Sequence, residues 1–363
     1  MTYYAGLDVS LRSVNICVID DQGELIAETK LASDVQDIVA YLDALELHIE
    51  SVGFEAGTLT QYLSYGLQSA GFDVVCMEAR QVKGALSAMR NKTDKHDARG
   101  IAQILRSGWY SRVHVKSMES HHIRMMLSSR RAVLSKCVDL ENEVRGLFKI
   151  FGLKLPAKLG HGPFDGTVRD IIEADEALSL ALLPLLEARL ALYRSFRELD
   201  NRTRKMAHAD PVCQRLMTVP GVGSITALTF KAGVDDPSRF KHSRTVGAHF
   251  GLTPRRSQSG EMDNSGHISR AGDADVRSAL YTAANAMLTR SGRWSSLKAW
   301  GMKIAKTRGH RRAVIAVARK LAVILHRVWI DDTQFRWVPK EQGHEITARF
   351  NLKRCVPAWT WSG

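Results

Sequence analysis

The chain contains no uninterrupted apolar run approaching the ~20 residues that a bilayer-spanning helix needs, so no membrane span is expected. Cysteine is sparse and scattered. Cys17, Cys76, Cys137, Cys213 and Cys355 form no C-x-x-C pair, and none has a histidine at zinc-site spacing. A structural zinc and a disulfide framework are therefore not expected, and a reducing compartment fits. Met1 runs directly into a polar, strand-like segment with no leader-like apolar stretch. These absences together predict a soluble, cytoplasmic protein. Internal repeats and low-complexity tracts are also missing, which excludes a repeat array.

Acidic residues are scarce in one region only. Between Asn201 and Ile330 there are 23 Lys and Arg against 7 Asp and Glu, a balance of +16. The whole chain carries +13, so the remainder sums to −3. Phosphate neutralisation by Lys and Arg is the main source of non-specific nucleic-acid affinity, so a polyanionic partner is expected on the second half. A solvated basic surface is the blander alternative, and charge alone does not separate DNA from RNA. The remaining bulk properties are ordinary: 363 residues, 45% hydrophobic and 25% charged. That is enough chain for two or three globular domains.

Pattern along the chain predicts an α/β beginning. Tyr3–Asp8, Val14–Ile19 and Glu24–Leu31 read as three consecutive strands, with a turn at Asp20–Gly23. A helix capped by Ser33 or Asp34 follows to about Leu47, then a strand at Ser51–Glu55. A helix at Leu59–Ala70, a strand at Phe72–Met77 and a helix at Asp94–Leu105 complete the series. Three strands followed by alternating helices and strands describe an RNase H-like fold among other α/β arrangements. A long helix over Ser117–Phe151, a Gly/Pro/Lys-containing loop over Gly152–Gly166, and a second long helix over Thr167–Met206 come next. The second helix is expected to break or kink at Pro184, and the two suggest either an antiparallel pair or an oligomerising coiled coil. From Pro211 the chain reads as mainly helical with Gly-rich turns at Pro220–Gly223 and Gly251–Gly260, ending in an amphipathic helix at Arg311–Trp329. The expected domains are 1–112, 113–208, 209–330 and a tail, 331–363.

Four carboxylates stand where metal chemistry would need them. Asp8 ends the first strand, and Glu55 closes an otherwise apolar one. Asp94 and Asp97, three apart, share one face at a helix start. Such a set can hold two Mg²⁺ ions about 3.5–4 Å apart around a phosphodiester. Any one of them could instead be a cap or turn residue; Asp94 in particular would cap its helix in any case.

At these residues the sequence resembles the DEDD-type insertion-sequence transposases, whose N-terminal domain is similar to the Holliday-junction resolvase RuvC. Asn91-Lys92-Thr93-Asp94-Lys95-His96-Asp97-Ala98 matches the family's N-K-T-D-x-x-D-A signature. Thr218-Val219-Pro220-Gly221-Val222-Gly223 matches T-[IV]-P-G-[IV]-G, and Gly251-Leu252-Thr253-Pro254 followed by Ser259-Gly260 matches the block bearing the family's serine. His267–Gly272, Arg277–Leu280 and Arg319–Leu321 continue the pattern in order over about residues 3 to 328. The residues after Glu55, Ala56-Gly57-Thr58-Leu59-Thr60-Gln61-Tyr62, depart from the usual Thr-Gly and aromatic.

The resemblance implies an α/β RuvC-like domain, a long-helix connector and a mainly α C-terminal domain. It implies Asp8, Glu55, Asp94 and Asp97 as metal ligands and Ser259 as a nucleophile that links covalently to DNA. It also implies a bridge-type guide RNA as partner. From the residues themselves, Ser257, Ser265 and Ser269 are rivals to Ser259. Arg244, Arg255, Arg256 and Arg270 suit the phosphate oxygens of a scissile DNA. Gly221 and Gly223 fit either a helix-hairpin-helix turn that holds a phosphate or a plain helix stop and start. Lys303, Lys306, Arg308, Arg311 and Arg312 are either a phosphate-binding cluster or a solvated one. The predicted protein is a Mg²⁺-dependent, serine-using DNA recombinase that acts as a homo-oligomer. A metal-dependent junction nuclease with no covalent intermediate and a non-catalytic nucleic-acid-binding protein are the alternatives.

Overall fold

The computed structural model describes residues 1–87, 94–259, 262–292 and 294–337. Two compact units emerge, Met1–Ser117 and Met118–Gly363.

The first unit runs β1 (Tyr3–Val9), β2 (Ser13–Asp20), β3 (Leu25–Ala32), α1 (Val35–Ala44), β4 (Ile49–Glu55), α2 (Thr60–Ser69), β5 (Val74–Met77), α3 (Ala79–Leu86) and α4 (Asp94–Ser107). Its sheet has the order β3-β2-β1-β4-β5. β2 is antiparallel to both β1 and β3, while β4 and β5 continue parallel to β1. This mixed sheet is covered on both faces, which is why its central strands are apolar at nearly every position. Leu7, Val14, Ile16 and Phe54 pack with Ile38 and Leu42 of α1 and Leu63 and Leu67 of α2. Cys17 and Ile19 face Ala98 and Ala102 of α4 on the other side. Asp34 caps α1 by accepting from Gln36 N at 2.9 Å, as its sequence position predicts. Helix α3 was not anticipated. Its apolar face is only two turns long, with Val82 buried and Ala85 and Leu86 packed beside it, too short a run for periodicity to mark as a helix.

The second unit runs α5 (Met118–Ile150), α6 (Phe164–Ile172), α7 (Glu176–Ala209), α8 (Pro211–Met217), α9 (Ser224–Val234), α10 (Val246–His249), β6 (Pro254–Ser259), β7 (Met262–Ile268), α11 (Ala274–Thr289), α12 (Ser296–Arg308) and α13 (His310–Ile330). The long helices pair antiparallel within the chain, as the Arg130–Asp200 and Arg189–Glu141 contacts require. Ile123 of α5 and Ala207 of α7 pack into the same core as Phe230, Leu280 and Leu321.

Two boundaries differ from expectation. Of the break or kink expected at Pro184, the break does not occur, since α7 passes through that proline. The break lies earlier, where Asp175 caps α7 by accepting from Leu178 N at 3.0 Å. A proline removes one helical hydrogen bond and crowds the preceding turn. The burial of Leu182 and Leu186 on either side of Pro184 offsets that cost. Phe164–Gly166, expected as loop, instead opens α6, with Phe164 wholly buried.

Beneath the turn between α5 and α7 lies a buried ionic cluster. Arg189, 1% exposed, pairs with Glu141 and Asp165, and His161 Nδ1 lies 2.8 Å from Glu141. Burial pushes the Glu141 carboxyl up, but hydrogen bonds from Arg189 and His161 outweigh it and hold it below the usual range. Arg189→Ala would strand two buried carboxylates and is expected to cost about 3–5 kcal/mol in urea unfolding. A lowered carboxyl stabilises the fold above its unfolded-state range and loses that effect as pH falls. The deficit of the variant is therefore full near neutrality and shrinks in acid. A loss under about 1 kcal/mol at neutral pH would show that the cluster contributes little.

Candidate functional site

The sheet of the first unit brings two of the four predicted acids to one edge. β1 and β4 are parallel and in register through Leu7 and Phe54, so Asp8 and Glu55, the next residues, stand at the same ends of neighbouring strands. Leu7 and Phe54 face the core under α1 and α2, which turns Asp8 and Glu55 toward the opposite face. Helix α4 crosses that face. A β-carbon on Gly6 would overlap the backbone of Ala98 and Ala102, so the glycine is what lets the helix lie directly on β1.

The direction of α4 follows from two hydrogen bonds. Gln103 Nε2 donates to Gly23 O at 2.9 Å and Arg106 Nη1 donates to Asp21 O at 3.0 Å. Both acceptors lie in the turn after β2, whose Asp20 pairs with Tyr3 at the start of β1. The C-terminal half of α4 therefore lies over the beginning of β1, and its first turn, with Asp94 and Asp97, points to the end where Asp8 and Glu55 stand.

Asp97 is half-buried, and the side chain of Asp94 lies outside the described residues, as do Asn91, Lys92 and Thr93 of its motif. Glu55 is exposed. An acid that closes an otherwise apolar strand is thus not buried here. All four acids offer hard oxygen donors, the set Mg²⁺ prefers. Among the described residues no three acidic, histidine or cysteine groups form a metal-holding cluster. Asn15, 4% exposed and opposite Asp8 in the β1–β2 ladder, is a polar neighbour that sequence reasoning missed. Its signal is visible in retrospect as one amide inside the apolar run Val14–Ile19.

The second candidate centre is the β6–β7 hairpin of the other unit. Gly251–Gly260 was expected as a turn-rich segment, but Pro254–Ser259 is a strand paired with Met262–Ile268. Exposed polar residues such as Arg255, Asn264 and His267 give it no apolar alternation, so periodicity could not reveal it. Ser259 is the last residue of β6, opposite Met262, at the tip. The side chains of Arg256, Ser257, Ser259 and Ser265, and residue Gly260, lie outside the described residues.

The root of the hairpin is braced. Ser269 N donates to Thr253 O at 2.8 Å and Arg270 N to Gly251 O at 3.2 Å. Arg277 Nη1 donates to Phe250 O at 3.1 Å and to Ala271 O at 2.9 Å, one carbonyl from each limb. Asp273, which caps α11, pairs with Arg124 of α5, and Asp275 pairs with Arg131 of the same helix. Burial pushes the Asp273 carboxyl up, and the Arg124 contact outweighs this and holds it below the ordinary range. Of the rival serines, Ser269 sits at the root, where its Oγ accepts from Ala271 N at 3.4 Å. Arg277 is the residue that motif reading passed over; it was part of a matched run with no role attached.

The predicted basic residues whose side chains are described are on the surface. Arg244, Arg255, Arg270, Lys303, Lys306, Arg308, Arg311 and Arg312 are all exposed, the last five flanking Gly309 between α12 and α13. Pro220–Gly223 joins α8 to α9. Gly221 has φ +80°, and Gly223 is the α9 N-cap with no side-chain cap bond. The turn therefore leaves the first amides of α9 uncapped by any side chain.

Two family models match stretches of the chain. Residues 5–152 match a family described as Transposase, of the DEDD type found in IS110 elements. Residues 213–299 match the Transposase IS116/IS110/IS902 family. The chain is 28% identical over 329 residues to the transposase for insertion sequence element IS1111A of Coxiella burnetii, covering 88% of this chain and 87% of that one. It is 25% identical over 344 residues to a probable family 20 transposase of Pseudomonas aeruginosa, covering 91% and 98%. Among solved structures, RuvC of Thermus thermophilus in complex with a Holliday junction substrate aligns at 16% identity and a TM-score of 0.26, over 31% of this chain and all of that one.

Proposed function

We propose, proceeding from the fact that this chain belongs to the DEDD-type family of insertion-sequence transposases, that it cuts and rejoins DNA through Ser259 with the help of Mg²⁺. What supports this is the common edge of the first sheet. Asp8 and Glu55 close adjacent parallel strands on the face that α4 crosses, with Asp94 and Asp97 in the first turn of that helix. Those four carboxylates would hold the metal. When bound, Mg²⁺ supplies charge neutralisation at the phosphodiester under attack.

In the proposed step the Ser259 Oγ–P bond forms as the P–O bond to one neighbouring nucleotide breaks. The serine proton ends on the departing sugar oxygen, which leaves as a hydroxyl. One phosphoester replaces another, so an incoming hydroxyl can reverse the step and rejoin a strand. Exposed Arg244, Arg255 and Arg270, with Arg256, would pair with the non-bridging oxygens, where a guanidinium donates two parallel hydrogen bonds. The brace of Arg277 across the hairpin root would limit how far the serine tip wanders. The acids and the serine are assigned to different copies of the chain, so the active species is a homo-oligomer. A bridge-type guide RNA is the proposed second nucleic-acid partner.

Trapping a serine-linked DNA adduct in the presence of Mg²⁺ tests this function, because a hydrolytic junction nuclease leaves none. The DNA-binding surface has a separate test. Each phosphate neutralised on duplex DNA contributes about −0.9 to the slope of log K against log salt. Replacing Lys306, Arg311 and Arg312 together by alanine is expected to flatten that slope by up to about 2.7. An unchanged slope would remove these residues from the interface.

A further inference from the structure

Beside the turn between α8 and α9 lies a cavity of about 750 Å³. One wall is the turn itself, with Thr218 and Gly221. The opposite wall is the segment after α13, with Gln334, Phe335 and Trp337, and Ser291 contributes from the α11–α12 loop. The two aromatic rings meet edge-on with centroids 5.4 Å apart. Phe335 N donates to Thr218 Oγ1 at 2.9 Å, which fastens the aromatic segment to the turn. The turn is held in its own right: a β-carbon on Gly221 would overlap the Ala283 carbonyl of α11, so the backbone of the turn lies flat on that helix. The walls are thus an aromatic pair on one side and a backbone turn on the other; the turn belongs to the 201–330 segment that carries +16, and the aromatic pair follows directly after it.

We propose that this cavity holds an unpaired nucleotide of a single-stranded nucleic acid, its base stacked on Trp337 and its phosphate toward the turn at Pro220–Gly223. The volume accommodates one nucleotide, and an aromatic ring accepts the face of any base regardless of sequence. Among the described residues the cavity is lined by no Lys or Arg, so the pocket adds stacking to an interface whose charge lies elsewhere. A double helix cannot present a base face without unstacking it. The site therefore selects single strands over duplex. Both displaced DNA and guide RNA have this chemistry. The inference rests on the nucleic-acid function proposed above.

The experiment uses the full chain with 2-aminopurine-labelled single-stranded DNA, RNA of the same sequence, and the matching duplex. Trp337→Leu, which keeps apolar bulk and removes the ring, is expected to weaken single-strand binding about five- to a hundred-fold. Duplex affinity and the salt slope should stay unchanged, because no cation is lost. Trp337→Phe is expected to retain most of the binding and the quenching of 2-aminopurine. A loss confined to the RNA arm or to the DNA arm identifies which strand the pocket takes. Equal losses on duplex and single strand, or no loss with Trp337→Leu, would overturn the pocket while leaving the DNA function standing. Failure of the wild type to bind any of the three would instead overturn that underlying function.

Discussion

With Mg²⁺ and a DNA substrate, Ser259→Ala is expected to form no covalent protein–DNA adduct, whereas the wild-type chain forms one through serine. The variant changes a single oxygen at the tip of a hairpin whose root is fixed by main-chain bonds and by Arg277. Folding and DNA affinity should therefore stay within about twofold, since a small polar-to-alanine change on a surface element costs little. Ser257→Ala and Ser265→Ala should still form the adduct. Ser257 pairs with Asn264 and Ser265 with Arg256, both further down the ladder than the tip. The measurement is adduct yield on denaturing gels, with the linked residue mapped by peptide mass. Persistence of the adduct in Ser259→Ala, or its mapping to another serine, would reassign the nucleophile even though the family membership is unaffected.

Asp97→Asn is expected to lower strand cleavage by at least about a hundredfold while leaving DNA binding and thermal stability near wild type. Asparagine keeps the shape of the side chain and removes the charge that a divalent cation needs. Asp97 is half-buried in the first turn of α4. Neutralising it removes a favourable interaction with the helix N-terminus of only a few tenths of a kcal/mol. The comparison with Glu55→Gln is informative, because Glu55 is exposed and its neutralisation carries no burial term. If both variants lose cleavage and keep the fold, the two carboxylates act on the reaction and not on stability. Full cleavage by Asp97→Asn would exclude it as an essential ligand.

Much of the first unit was legible because its strands obey the alternation that burial imposes. Val14, Ile16 and Val18 face one layer of helices and Cys17 and Ile19 the other, and the observed strands match the expected ones within two or three residues at each end. The long helices were equally visible, but their boundaries were not. Pro184 looked like the stronger stop, yet the side-chain cap of Asp175 sets where α7 begins. The Asp175 side chain gives a partner to an amide that the helix start would leave free, whereas the bond a proline forfeits inside a well-packed helix is offset by the burial around it.

What local pattern encodes in this chain is the identity of its chemical groups: four acids, a serine in a Gly-bounded block, and a basic second half. Their residue types and motif spacing are properties of the one-dimensional string, and short-range rules suffice to find them. What depends on folding is which groups share a place. Asp8 and Glu55 are 47 positions apart in number, and only the parallel register of β1 with β4 sets them side by side. Gly6 states nothing about α4 until that helix lies on it. The serine hairpin escaped detection for the same reason. Its described side chains Arg255, Asn264 and His267 are exposed and polar, and its root is held by Arg277, Asp273 and Asp275 through bonds to Phe250, Ala271 and α5. A hydrophobic pattern reports what a segment hides from water; it carries no record of a hydrogen-bonded brace between segments that stay in it.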